Sequence, residues 1–133
     1  MERRMSIIAK ETSNKFPVHI AYLSFGPNIK DIKLDNVRLH KIKANSNYDP
    51  LILLSLFLLL IKIRPIIIQT WSKQMDILGG IFSLLFRINH IIMEPISPID
   101  VYPKKLNIKI FLKNILSMNA IVISNSLSTK KFW

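Results

Sequence analysis

With 133 residues, half of them apolar, the chain has room for one domain of ordinary size and no room for a second of similar size. The absence of cysteine excludes a disulfide framework and any thiolate metal site, and fits a reducing, cytoplasmic setting. A formal charge of +11 raises nucleic acid or an anionic surface as partners, but the basic residues are dispersed in pairs such as Arg3-Arg4, Lys104-Lys105 and Lys130-Lys131, with no stacking array of aromatics between them, so a solvated or membrane-attracted basic face is expected and nucleic acid is not.

From Glu2 to about Asn14, Met5, Ile8 and Ala9 share one stripe among polar neighbours, which predicts a short amphipathic helix. This start holds no apolar stretch of signal-peptide length, so secretion by that route is not expected. Residues 17–24 form a β-rich run ended by Gly26-Pro27, and 36–42 alternate apolar with polar at period two, so both read as strands. Asn47-Tyr48-Asp49-Pro50 supplies a helix start, with Asp49 as N-cap and Pro50 at the first helical position, and predicts a helix over 50–63. Leu51 to Ile61 carries no charge, but Lys62, Arg64 and Pro65 close the run after eleven residues. A bilayer-spanning helix needs roughly twenty, so this segment is expected as a core helix packed on a sheet.

Pro65 ends that helix, and Ile66 to Gln69 reads as a short strand of the kind covered on both faces. Thr70 to Lys73 form a turn. A helix follows from about Gln74 to Arg87, with Met75, Leu78, Phe82 and Leu85 on one side and Gly79-Gly80 admitting a close neighbour. His90 to Met93 is another strand, and Pro95, Pro98 and Pro103 make 94–104 a loop. Leu106 to Met118 reads as a helix with Ile108, Phe111, Leu112 and Ile115 inward, and Ala120 to Ser124 is the last strand. Short apolar strands alternating with helices predict an α/β fold: one open, mostly parallel sheet with helices on both faces.

In such sheets ligands bind beyond the carboxyl ends of the strands. The polar residues there are Thr70, Trp71 and Ser72 after one strand, Glu94 after the next, and Asn125 and Ser126 after the last; they are expected to gather at one edge. Each also has a plainer reading. Trp71 suits rim packing as well as sugar stacking, and Thr70 and Ser72 suit helix capping. Asp76 suits the helix dipole, and Glu94 suits either a base or a solvated loop acid. His19, His40 and His90 lie in or beside strands without ligand spacing, so they read as structural and no metal site is expected. Neither a dinucleotide nor a P-loop glycine pattern occurs, nor a serine-nucleophile elbow, and no cofactor is expected.

Asn47-Tyr48-Asp49-Pro50, the leucine-rich helix, Arg64-Pro65 through Gln69-Thr70-Trp71, and Gln74-Met75-Asp76 through Gly79-Gly80 together resemble the N-terminal domain of family 4 glycosyltransferases. There the pattern reads approximately N-Y-D-P, helix, R-P-D-I-V-Q-T-W, x-x-Q-x-D-x-L-G-G. Glu2-Arg3 resembles the end of the family's G-G-x-E-R helix opening, and Glu94 and Ser124-Asn125-Ser126 follow the matching strands. The resemblance implies a Rossmann-like domain entered after its first strand, one of two in the parent enzyme. It further implies retaining transfer of a sugar from a nucleotide-sugar to an acceptor held by this domain at Thr70, Trp71, Ser72, Glu94, Asn125 and Ser126. Donor contacts would lie on a C-terminal domain outside this sequence. A non-catalytic interaction module on an anionic membrane surface or a partner protein, at the inner face of the membrane, is the competing expectation.

Overall fold

Each element of the computed structural model follows from a local signal in the chain. It describes residues 2–24, 36–46, 49–94, 111–112, 115–116 and 118–124. The chain divides into two units, Met1–Ile63 and Arg64–Trp133.

In the first unit, helix α1 (Glu2–Ser13) is followed by strands β1 (Val18–Tyr22) and β2 (Val37–Lys41) and helix α2 (Leu51–Ile63). α1 buries the side of Ser6 and Ala9, and the Ser6 hydroxyl is satisfied by donating to the Arg3 carbonyl at 2.8 Å. β1 and β2 pair in parallel, Val18 opposite Val37 and Ala21 opposite His40. The ladder closes with the Ile42 N–H on the Tyr22 carbonyl at 2.8 Å. Ile20, Ile42 and Ile52 are this unit's other buried apolar residues.

The N-cap of α2 is the expected one. Asp49 accepts the Leu51 N–H at 2.9 Å and the Asn45 N–H at 2.8 Å. Those two backbone bonds, Asn45 first, hold its carboxyl below the usual carboxylate range. The helix ends where Arg64, at φ 51°, turns the chain before Pro65. Its burial differs from the expected core helix. Ile52 is buried, but Leu51, Leu54, Leu58 and Ile61 stay exposed, Leu54 and Leu58 by 54% and 56%. A helix apolar on all sides needs cover on all sides, and the one other helix and two strands described in its unit do not supply it. No described helix is long and apolar enough to cross a membrane.

The second unit contains β3 (Ile67–Thr70), α3 (Lys73–Phe86), β4 (Asn89–Glu94) and β5 (Ala120–Ser124). The strands form a parallel sheet of order β3-β4-β5, with Thr70 opposite Ile92 and Glu94 opposite Ser124. α3 starts at Ser72 and stops at Arg87, which enters the left-handed region at φ 55° and returns its N–H to the Ser83 carbonyl. Phe82, Ile92 and Met93 form the apolar core. Gly79 and Gly80 allow the close approach the sequence implies: a Cβ on Gly79 would stand 2.6 Å from Thr70 Cγ2, and one on Gly80 2.7 Å from Leu116 Cβ. The helix expected over 106–118 lies largely outside the described residues; 111, 112, 115 and 116 are helical.

Among the described residues the fold is thus α/β with open parallel sheets and three continuous helices. One feature differs from the expected single sheet. Among the described residues the five strands make two sheets, with β1 paired to β2 and β3 paired to β4.

Candidate functional site

In the second unit the three parallel strands point the same way, so Thr70, Glu94 and Ser124 all lie at their carboxyl-terminal edge. Trp71 and Ser72 continue from Thr70 along that edge into α3. The backbone register therefore brings together four of the six candidates: Thr70, Trp71, Ser72 and Glu94. Asn125 and Ser126 lie outside the described residues, directly after Ser124.

The side chains divide by role. Thr70 is buried and its hydroxyl is used twice, donating to Asp76 Oδ1 at 2.6 Å and meeting His90 Nε2 at 3.0 Å. A hydroxyl has one proton. With that proton on Asp76, His90 must carry its own on Nε2 and donate to Thr70. His90 Nδ1 is then a bare nitrogen, buried without a hydrogen-bond partner among the described residues, and burial holds the histidine's pKa below the ordinary imidazole value. Asp76 is buried in the first turn of α3, where the helix dipole favours its charge. Ser72 caps the same helix, its Oγ accepting the Met75 N–H at 3.4 Å. Trp71 is half-buried between these two committed residues. The edge accordingly offers a half-buried tryptophan next in chain to a buried polar network in which the Thr70 hydroxyl is engaged.

The Asp76–Thr70–His90 network was not assembled from sequence, although its signal was there: three polar residues interrupt apolar runs at the end of β3, the start of α3 and the start of β4. A second pair was also missed. His19 Nδ1 and His40 Nε2 meet at 2.8 Å across β1 and β2. A shallow depression of about 440 Å³, lined by Ser13, Phe16, Pro17, Asn36 and Arg38 among others, lies at the amino-terminal ends of β1 and β2, opposite to where open parallel sheets place ligands. Among the described residues no group of three or more His, Asp or Glu is placed to hold a metal ion. No known family, curated protein or solved structure matches the chain.

Proposed function

We propose that the chain is the acceptor-side half of a two-domain, retaining nucleotide-sugar glycosyltransferase. The observation that carries the reading is the strand pairing. A doubly wound sheet has the order 3-2-1-4-5-6, in which 3-2 and 4-5-6 are parallel pieces flanking strand 1. The pairings β2-β1 and β3-β4-β5 are those pieces in the same chain order. The motif segment ending in Gln69-Thr70-Trp71 supports it, since it falls at the carboxyl end of β3, where such a domain receives its ligand. In this reading Trp71 stacks on an acceptor sugar, Thr70 and Ser72 fix its backbone, and Glu94, Asn125 and Ser126 supply polar contacts from the neighbouring strand ends. Donor binding belongs to a second domain. Tryptophan fluorescence against a panel of oligosaccharides, in a Trp133→Phe background that leaves Trp71 as the reporter, tests this. Quenching by a subset of sugars is expected, with Trp71→Ala weakening their retention on an affinity column by about tenfold or more; no response to any sugar sinks the acceptor role.

One observation favours the second reading, an interaction module on an anionic bilayer. The exposed residues Leu51, Leu54, Leu58 and Ile61 follow a three-four-three spacing on one side of α2, and exposed Lys62 and Arg64 close the helix. Two copies packed in parallel through this stripe would bring like charges together, as α2 itself carries no acid. Acidic headgroups complement them. Cosedimentation with phosphatidylcholine vesicles, with and without an anionic lipid, decides. Binding only to the anionic vesicles, abolished by Leu54→Gln with Leu58→Gln, supports the module; no vesicle binding removes it.

A further inference from the structure

His19 and His40 stand two residues apart in register on the parallel pair, with Ala21 opposite His40 and His19 opposite Arg38, so strand alternation puts His19, Arg38 and His40 on one sheet face. Their rings are inclined by only 5° with centroids 5.1 Å apart, yet Nδ1 of one and Nε2 of the other are 2.8 Å apart. Face-to-face stacking is excluded, because stacked planes keep their atoms about 3.5 Å apart. The rings meet edge to edge, nearly coplanar, each nitrogen directed at the other. Such a contact needs one proton: an N–H on one ring donates to the bare nitrogen of the other. It does not suit chelation, where both lone pairs converge on a metal about 2.0–2.1 Å from each nitrogen.

We propose that His19 and His40 form an acid-sensitive latch between β1 and β2, closed by one shared proton and opened when the pair becomes doubly charged. The proton count fixes the order of events. In the neutral pair one ring donates, and its outer nitrogen is bare. The first added proton goes there and makes the contact charge-assisted, which strengthens it. The second has only the accepting nitrogen left. It sets two N–H groups head to head and two imidazolium cations side by side. The surrounding charges oppose that step. Arg38 shares the face, Lys41 follows His40, and α1, which packs on both strands, carries Arg3, Arg4 and Lys10 against Glu11 among its described side chains. Burial, then His40, then Arg38 hold the His19 pKa below the ordinary imidazole value, in the same direction. A two-stranded sheet is marginal alone, so losing a cross-strand tie loosens the unit that contains it.

The test is an imidazole ¹⁵N NMR titration of the full chain from pH 8 to 4.5, with His90 resolved as a separate signal, together with amide exchange over Val18–Tyr22. The expected result is a coupled, two-step titration of His19 and His40, with the protection of the β1 amides, taken after correction for the intrinsic base-catalysed exchange rate, falling by up to about tenfold per pH unit as the pH drops through the lower step. In His40→Asn, His19 should titrate in a single step closer to 6.5. Two independent single-step curves in the wild-type chain overturn the proposal, as does a lower step that leaves the protection of the β1 amides unchanged. Should His40→Asn fail to fold, the wild-type titration and exchange decide alone.

Discussion

Thr70 shows how a buried polar residue ties local structure to the site. Its hydroxyl joins Asp76 on α3 to His90 on β4, so Thr70→Val should cost about 1–3 kcal/mol by leaving those partners unmatched, while Thr70→Ser should keep most of that stability in urea unfolding. His90 makes stability depend on pH. Its folded pKa lies below its unfolded value of 6.5, so between the two the unfolded chain binds more protons. Its contribution is complete above about pH 6.5 and falls as the pH drops below it; the urea midpoint should decrease from pH 7.5 to 5.5, and less so in a His90→Gln variant. A methyl at Gly79 would meet Thr70 Cγ2 at 2.6 Å and His90 Nε2 at 2.8 Å. Gly79→Ala should therefore destabilise by about 1–3 kcal/mol. Arg87 holds a left-handed conformation that a glycine adopts without strain, so Arg87→Gly should stabilise by about 0.5–1 kcal/mol, read from the same unfolding curves.

At the scale of elements, local chemistry made the boundaries legible. Asp49-Pro50 announced the start of α2, and the apolar runs announced β3, β4 and β5, because capping and strand alternation act within a few residues. What covers α2 was not legible, since the same eleven uncharged residues suit a core helix or a surface one and only the surrounding tertiary structure separates them. Ser72 illustrates a related ambiguity. It stood among the ligand candidates, and its side chain accepts the Met75 N–H as the cap of α3. Ser72→Ala should cost about 1 kcal/mol of stability and weaken sugar binding far less than Trp71→Ala does, a split that thermal melting and the fluorescence assay read separately. The two polar networks escaped sequence reading for one reason: each joins residues about twenty positions apart, and only strand register brings them together.

For the whole molecule, the parallel pairing was legible from the alternation of strands and helices, but the partition into two sheets depends on which strands find neighbours. The glycosyltransferase reading has an energetic consequence at this scale. Sugar transfer needs donor and acceptor held in near-attack geometry, worth roughly 7–11 kcal/mol of the barrier, and preorganised groups for the charge developing on the leaving diphosphate. If the donor groups belong to a second domain, residues 1–133 alone should release no nucleotide from common nucleotide-sugars above the background of a Trp71→Ala control. The most direct measurement is saturation-transfer NMR of the full chain against two sets of ligands, oligosaccharide acceptors and nucleotide-sugars. The account predicts transfer to a subset of acceptors, lost in Trp71→Ala, and none to the nucleotide-sugars; transfer to the nucleotide-sugars with none to any acceptor would contradict it.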